Sequence, residues 1–493
     1  MSGYIMALDQ GTTSSRAILF EGHRVIGLHG RVHEQIFPRP GWVSHNVSEI
    51  WFNIAECMKR VCAETGVDAK EIAAIGITNQ RETIAAWDKR TGEPATDAIV
   101  WQCKRTANIC QKMFADGMEN TVRQKTGLLI DPYFSATKIK WMLDNEPEVR
   151  RLRDAGHLAV GTMDSYLLYK LCGKHVTDVS NASRTMLYNI YDMRWDYELL
   201  RYFGIPEDIL PEVIDSSGVA GITDVLGPAI PVAGVAGDQQ AALFGQKCFY
   251  GGGVKNTYGT GCFLLMNTDK PVFSKNRLLT TIAWKIGDKI SYALEGSVFN
   301  AGSAVEWLIN RAKLAVDVRE INDFCNSVSD NNGVYFVPAF SGLGAPRWDM
   351  NARGVLCGLD LSSTNRHIVR ALMEAIAYQS KDVMDVMRAD SGFGITKIRV
   401  DGGVSNSDFV MQFQADILQT PVERPSMTET TALGAAYLAG LGVGLFSGLN
   451  DITATDESKV FVPQMAKSEA DALCAKWQKA VKRAKDWEGD EPI

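Results

Sequence analysis

The sequence lacks several patterns that would reveal a function directly. Its ten cysteines include no Cys-x-x-Cys pair, which argues against a disulfide framework or a zinc site and favours reduced thiols. It has no Walker A sequence, because its one Gly-Lys pair, Gly173-Lys174, is followed by His175. Basic residues are not in excess, and the formal net charge of -7 argues against nucleic acid or an anionic membrane as a partner.

Targeting and membrane signals are scarce as well. The first residues, Met1-Ser2-Gly3-Tyr4, hold neither a basic region nor a long apolar run, so we expect no signal peptide and a cytoplasmic location. Residues 430–450 carry no charge and are long enough to cross a bilayer. They are rich in Gly and Ala, which are only weakly hydrophobic. We therefore predict a buried helix and a loop, packed closely against another backbone, rather than a membrane span.

A chain of 493 residues is too long for one hydrophobic core and predicts two large lobes or three domains. Near its start, apolar runs at 4–8 and 17–20 predict two strands joined by the turn Gly11-Thr12-Thr13-Ser14. The amides and hydroxyls of such a turn suit a phosphate. Asp9 at the strand end suits Mg²⁺ held through water. The alternative is a plain polar hairpin.

A second polar edge follows the predicted strand at 72–78. Here Asn79-Gln80-Arg81-Glu82-Thr83 offers donors and acceptors suited to the hydroxyls of a small polyol, the alternative being a surface salt bridge. Further on, Asp131-Pro132-Tyr133 resembles the start of a helix, with Asp as the cap and Pro in the first turn. That prediction places Tyr133 in the first turn of the helix, within reach of a ligand.

The stretch around Asp238 organises the rest. Residues 230–235 predict a buried strand, Gly237 breaks it, and 239–244 predict a helix. Asp238 would then stand at a strand-to-helix corner, where α/β proteins bind ligands. The alternative is that Asp238 only caps the helix.

The second half of the chain repeats the pattern of the first. Residues 255–267 predict another hairpin with a Gly-Thr-Gly turn, followed by strands at 278–283 and 290–294 and a helix near Gly302. A long helix is predicted at 364–387, and 398–407 predict a strand, a glycine turn and a helix start that would let an anionic ligand approach. We interpret this as an internal duplication whose halves enclose a cleft that closes by hinge motion.

Together these motifs resemble the FGGY family of carbohydrate kinases, and within it the members that phosphorylate glycerol. The resemblance is carried, in family order, by Asp9-Gln10-Gly11-Thr12-Thr13-Ser14-Ser15-Arg16, Gly76-Ile77-Thr78-Asn79-Gln80-Arg81-Glu82-Thr83, Gly237-Asp238-Gln239-Gln240, Asn256-Thr257-Tyr258-Gly259-Thr260-Gly261-Cys262-Phe263 and Val400-Asp401-Gly402-Gly403. It implies an α/β fold with two actin-like, ribonuclease H-like lobes, at 1–247 and 248–493, and ATP in the cleft between them.

The resemblance also implies a reaction and a set of site residues. The reaction is in-line transfer of a phosphoryl group from ATP to glycerol, the first step of glycerol catabolism, with Asp238 as the general base and Mg²⁺ held by Asp9 and Asp238. The residues implied to contact glycerol are Arg81, Glu82, Trp101, Tyr133, Asp238, Gln239 and Phe263. Those implied to contact the nucleotide are Thr12, Thr13, Ser14, Arg16, Thr260, Gly302, Glu306, Gly403 and Ser407. A homo-oligomer, either a dimer or a tetramer, is implied as well.

Some positions depart from the family pattern. Cys103 stands where Asp is common, Glu306 where Gln is common, and Ser407 where Asn is common. The loop before Asp238 lacks the Gly- and Arg-rich sequence through which fructose bisphosphate inhibits some members. Three alternatives stay open: a kinase for another polyol or sugar, an actin-like ATPase switch, and an inactive binding protein, which Asp9 and Asp238 disfavour.

Overall fold

The structure, a computed structural model, describes residues 3–452 and 457–489. The outer ends of the predicted lobes, 1–2 and 490–493, lie outside the described residues, and so do Met1 and Ser2 of the region inspected for a signal peptide. Among the helices of the described ranges, none combines the length and the apolar character that crossing a bilayer requires.

The first half of the described chain contains a long series of short elements. Its strands are β1 (Tyr4–Gln10), β2 (Ser14–Glu21), β3 (Arg24–Val32), β4 (Ser44–His45), β5 (Ile72–Asn79), β6 (Ile84–Asp88), β7 (Ala98–Ile99), β8 (Leu158–Thr162), β9 (Val176–Asp178), β10 (Tyr188–Asn189), β11 (Arg194–Trp195), β12 (Glu212–Ile214), β13 (Ser217–Thr223) and β14 (Ile230–Gly237). Its helices are α1 (Val47–Thr65), α2 (Ala107–Ala115), α3 (Glu119–Thr126), α4 (Ser135–Asn145), α5 (Pro147–Asp154), α6 (Met163–Cys172), α7 (Val179–Ala182), α8 (Tyr197–Phe203) and α9 (Asp238–Gly245).

The second half has fewer strands and longer helices. Its strands are β15 (Val254–Tyr258), β16 (Cys262–Asn267), β17 (Leu279–Ile286), β18 (Lys289–Val298), β19 (Tyr335–Val337), β20 (Val355–Cys357), β21 (Ile398–Asp401), β22 (Val422–Pro425) and β23 (Ser458–Phe461). Its helices are α10 (Gly302–Asn310), α11 (Val318–Ser327), α12 (Asn365–Ser391), α13 (Asp408–Leu418), α14 (Thr430–Gly442), α15 (Leu449–Ile452) and α16 (Lys467–Ala484).

Each half is built around one large mixed sheet. The first has the order β13-β14-β5-β1-β2-β3 and the second the order β17-β18-β16-β15-β21-β22-β23. In both sheets a hairpin pairs with a third antiparallel strand on one side (β3, β18) and with two parallel strands on the other (β5 and β14, β21 and β22). The repeated order confirms the internal duplication and the mixed α/β class.

Most predicted elements are present, but the helix start at Asp131 is wrong. Helix α4 begins at Ser135, so Tyr133 lies in the turn before it. The Asp131 carboxylate accepts a 2.8 Å hydrogen bond from the Tyr133 amide, and Lys138 Nζ donates to the carbonyl groups of Pro132, Tyr133 and Phe134. Because these polar groups are satisfied locally, the chain turns before it becomes helical.

The uncharged segment at 430–450 forms α14 and the loop after it, as predicted. Although it belongs to the second half, α14 packs on α9 and on β1, β5 and β14 of the first. The crossing with α9 requires two glycines, since a Cβ at Gly434 would overlap the Ala241 carbonyl oxygen and one at Gly245 would overlap the Thr430 carbonyl oxygen. This close contact fixes the helix that begins with Asp238.

Candidate active site

Three neighbouring strands of the first sheet end at one edge in polar residues. Strands β1, β5 and β14 run parallel, and their registers align Asp9 with Thr78 and Gly237 with Asn79. Because the carboxyl ends of parallel strands meet at the same edge, segments far apart in the sequence converge there. That edge carries Asp9, the turn Gln80-Arg81-Glu82, and Asp238.

Asp238 is the first residue of α9, and the N-cap position is occupied by Gly237. The Asp238 carboxylate lies 3.2 Å from Arg81 Nε and accepts a 2.7 Å hydrogen bond from the Gln239 amide. Its side chain is 33% exposed, so a ligand can reach it. Burial raises the pKa of Asp238 to about 6, while the charge of Arg81 acts in the opposite direction. Such a carboxylate is ionised at neutral pH and is a stronger proton acceptor than an ordinary aspartate.

Arg81 and Glu82 lie in the interior and not on the surface, because they are only 3% and 1% exposed. The alternative of a surface salt bridge is therefore wrong. Arg81 donates to the Glu295 carboxylate at 2.5 and 3.1 Å and reaches the Tyr133 hydroxyl oxygen at 3.4 Å. Glu82 has a positive φ of 60°, a conformation that a non-glycine residue adopts at some energetic cost. Its carboxylate accepts a 2.6 Å hydrogen bond from Arg184 Nε.

Glu295 and Arg184 are part of the site but were not predicted. Glu295 lies inside β18 and Arg184 follows α7; both are 0% exposed, and Arg184 donates to Glu295 at 2.9 Å. Burial opposes the ionised form of Glu295, but the two arginines outweigh it and hold the pKa of Glu295 below its ordinary value. A charged residue inside the apolar run Ala293-Leu294-Glu295-Gly296 was the available sequence signal, because such residues are rarely buried without a partner.

The two aromatic residues that the first half was predicted to contribute to the site lie side by side at this edge. The rings of Trp101 and Tyr133 meet edge to face with their centroids 5.5 Å apart. Trp101 Nε1 donates a 3.0 Å hydrogen bond to the Thr12 hydroxyl. Although α4 begins only at Ser135, Tyr133 lies beside Arg81, and Trp101 connects this group to the first hairpin.

Gln239 and Phe263 stand on opposite halves of the chain. Lys255 Nζ on β15 donates to the Gln239 side-chain oxygen, so the amide group of Gln239 remains free to act as a donor elsewhere. Burial lowers the pKa of Lys255 to about 8. In the registers of β15, β16 and β18, Lys255 and Glu295 both align with Leu265, and Phe263 precedes Leu265 by two residues on the same strand. Phe263, Lys255 and Glu295 therefore share one face of the second sheet.

The turn of the first hairpin is held mainly through its carbonyl groups, one of which, on Ser14, accepts a 2.9 Å hydrogen bond from the Gly11 amide. The Thr12 carbonyl accepts 2.8 Å hydrogen bonds from His33 Nε2 and Gln35 Nε2, and the Thr13 carbonyl accepts one from the His33 amide. Thr13 is exposed, and Thr12 and Ser14 are partly exposed. Nothing in this arrangement conflicts with a phosphate at the turn.

Arg16 occupies the base of the same hairpin and bridges two carboxylates. It donates to Asp9 and lies 2.8 Å from the Glu429 carboxylate, which immediately precedes α14. Asp9 is 7% exposed. Any ligand phosphate that contacts Arg16 would therefore have to share the guanidinium with these two acids.

The second half contributes a turn and a cavity. The Thr260 carbonyl accepts hydrogen bonds from the amides of Ala301 and Ser303, and a Cβ at Gly302 would lie 2.6 Å from the Gly259 carbonyl oxygen. Glu306 is exposed on α10 and lines a cavity of about 420 Å³ together with Ser303, Trp307, Asn310 and Arg311. That volume is in the range of small-molecule sites.

Gly403 and Ser407 lie at the end of β21, as predicted, but differ in accessibility. A Cβ at Gly403 would meet no atom within 4 Å, so its backbone is open to a ligand. Ser407 is 4% exposed and caps α13; its hydroxyl donates a 2.6 Å hydrogen bond to Asn322 on α11. The Ser407 hydroxyl is therefore already engaged within the protein.

Among the residues that the structure describes, no group of three or more His, Cys, Asp or Glu side chains has the geometry of a metal site. Mg²⁺ in kinases is commonly held by one or two carboxylates and the substrate phosphates, so Asp9 and Asp238 fit that requirement. Cys103 is buried, and its sulfur accepts from Arg105 Nε at 3.0 Å.

Comparisons with known proteins agree with this architecture. The models of the N-terminal and C-terminal domains of the FGGY family of carbohydrate kinases match residues 4–245 and 254–443. A protein of Symbiobacterium thermophilum named glycerol kinase is 54% identical over 98% of this chain and 99% of its own length. A crystal structure of Plasmodium falciparum glycerol kinase with ADP superposes with a TM-score of 0.92 and 37% identity, covering 98% of both chains. A ligand-bound xylulose kinase from Lactobacillus acidophilus, 23% identical and with a TM-score of 0.86 over 98% and 96% of the two chains, shares the fold. With both domain models matched and half of its residues identical to those of a full-length relative, this chain belongs to the FGGY family of carbohydrate kinases.

Proposed function

We propose that this chain is an ATP-dependent phosphotransferase that converts glycerol and ATP to sn-glycerol 3-phosphate and ADP. The observation that carries the proposal is the convergence of Asp238, Arg81 and Glu82 at one sheet edge, beside the β1–β2 hairpin, whose turn suits a phosphate. Full-length identity of 54% to a protein named glycerol kinase supports the choice of substrate within the family.

The reaction assigns one role to each group of residues. Asp238 accepts the proton of a terminal hydroxyl as that oxygen forms a bond to the γ-phosphorus and the bond from phosphorus to the bridging oxygen of ATP breaks, so that ADP leaves. Arg81, Glu82 and Gln239 hold the hydroxyls, and Trp101, Tyr133 and Phe263 flank the carbon chain. Asp9 and Asp238 would hold Mg²⁺, which would supply positive charge against the phosphates.

The nucleotide would span both halves of the chain. The hairpin Thr12-Thr13-Ser14 with Arg16 meets the phosphates from the first half, and Thr260 meets them from the second. The remainder would meet Glu306 in the cavity on α10, Gly302 at the start of that helix, and Gly403 in the turn after β21. Ser407 would contribute only indirectly, by capping α13 and bonding Asn322, because its own hydroxyl is engaged.

Selectivity for a small triol follows from burial. Arg81 and Glu82 are almost fully buried charged groups, so a substrate that lacks one hydroxyl loses a hydrogen bond to a charged group, at a cost of about 1–3 kcal/mol. A cytoplasmic location stays a prediction from the N-terminal sequence, and assembly into a dimer or tetramer stays a prediction from the resemblance.

The test is ADP release by the purified chain with Mg²⁺ and ATP, measured in parallel with glycerol, xylulose, gluconate and no acceptor. We expect turnover that depends on glycerol and slow hydrolysis without an acceptor, because a closed cleft excludes water. Preference for another polyol would move the proposal to a different member of the family. ATP hydrolysis indifferent to every acceptor would favour the actin-like ATPase switch instead.

A further inference from the structure

We infer that Glu295, a residue of the second half, is the positioning residue that sets Arg81 and Glu82 for the substrate. The inference rests on the proposed function, because it assumes that Arg81 and Glu82 contact the acceptor. Glu295 itself is 0% exposed and lies behind these residues, so its role is to orient them and not to touch the substrate.

The four side chains form one continuous array. The Glu295 carboxylate accepts from Arg81 at 2.5 and 3.1 Å with its two oxygens, and one of these oxygens also accepts from Arg184 at 2.9 Å. Arg184 in turn donates to Glu82 at 2.6 Å through Nε. Each of the two predicted substrate residues is therefore oriented, directly or through Arg184, by Glu295.

The array balances its own charge. Two arginines face two glutamates, so the group is neutral without Asp238, whose carboxylate faces Arg81. A bidentate carboxylate fixes the plane of a guanidinium. Arg81 can then present Nε to Asp238 at 3.2 Å while both of its terminal nitrogens are held.

Folding alone does not account for a charge at this position. Glu295 pairs in register with Leu265 on β16 and with Leu279 on β17, so an apolar side chain would suit the strand. A buried ion pair is often no more stable than an apolar replacement. What the glutamate adds is a link between the second sheet and the turn after β5 of the first, which places the substrate residues relative to the nucleotide half.

The experiment compares Glu295→Gln with a matched control, Glu374→Gln. Glu374 is also a buried glutamate of the second half, 2% exposed and paired with Arg370 at 2.8 Å and Asn331 at 2.8 Å, but outside the array. Steady-state KM for glycerol, kcat, ADP affinity without glycerol by calorimetry, and thermal unfolding are measured for the wild-type chain and both variants.

Glutamine keeps the shape and one acceptor oxygen but removes the charge that holds two arginines. We expect Glu295→Gln to raise the KM for glycerol about tenfold or more, as for loss of one charge-assisted hydrogen bond, and to leave ADP affinity within twofold. The Glu374→Gln control should leave both constants within twofold of wild type. An unchanged KM in a folded Glu295→Gln variant would overturn the inference.

A second variant keeps the test decisive if Glu295→Gln does not fold. Arg184→Lys retains the charge but loses the planar guanidinium, which bonds Glu82 and Glu295 through two separate nitrogens, so we expect a severalfold rise in the KM for glycerol with unchanged ADP affinity. An unchanged KM there also overturns the inference. Should the wild-type chain prefer another polyol, the proposed function fails, and the same KM comparison is made with that polyol, because the inference concerns Arg81 and Glu82 and not the length of the substrate.

Discussion

Replacing Asp238 by Asn tests the chemical centre of the proposed mechanism. In the wild-type chain Arg81 Nε lies 3.2 Å from the Asp238 carboxylate. Asparagine has the same shape and keeps an oxygen that can face Arg81 Nε, so we expect the local structure to persist. It cannot take a proton at any useful pH. The variant should therefore fold and bind nucleotide normally but lose most of its turnover.

The expected loss follows from the role of a general base. Such a group contributes about two to four decades in rate, equivalent to about 3–5 kcal/mol in the activation free energy. The pH profile adds a second signature. Because burial raises the pKa of Asp238 to about 6, wild-type kcat/KM should fall about tenfold per pH unit below pH 6, as the base becomes protonated. The residual activity of Asp238→Asn should lack that limb.

The assay is a coupled measurement of ADP release from pH 5 to 8, with nucleotide binding measured separately. Asp215→Asn is the matched control: Asp215 is also partly exposed, at 31%, and pairs at 2.5 Å with Lys285, which is not one of the candidate site residues. The control should retain activity within twofold. Turnover of Asp238→Asn near the wild-type rate, or an acid limb that persists in it, would refute the assignment of the base.

Three further predictions concern other parts of the molecule. Replacing Lys255 by Met removes a positive charge that lowers the pKa of Asp238. The acid limb of kcat/KM should therefore move to higher pH than in the wild type. A pH profile that stays in place would show that Lys255 does not act on the base. Asp9→Asn should raise the Mg²⁺ concentration needed for half-maximal activity, seen in a metal titration after chelation with EDTA, and an unchanged requirement would exclude Asp9 as a ligand. Gly434→Ala should lower the free energy of unfolding by about 1–3 kcal/mol in thermal or urea unfolding, because the added methyl group overlaps the α9 backbone, whereas Gly448→Ala, whose Cβ would meet open space, should change it little.

Local patterns were sufficient where a residue's role depends on its neighbours in the chain. The apolar run before Gly237 and the polar residues after it predict the corner at Asp238, and the structure confirms it. The two hairpins and the long α12 helix follow in the same way from the period of their apolar residues. The prediction failed at Asp131, where the side-chain and backbone hydrogen bonds of a turn replaced the first turn of a helix.

Only the tertiary structure brought Glu295 and Arg184 to Arg81 and Glu82. The same is true of Lys255, which it brought to Gln239. The partners are separated by up to 214 residues, and the contacts depend on how the two sheets and the helices α7 and α9 pack, which no local pattern encodes. A sequence determines where strands end, because apolar period and glycine act over a few residues. Which ends face each other is decided by packing, since α14 crosses α9 closely only where both helices carry glycine.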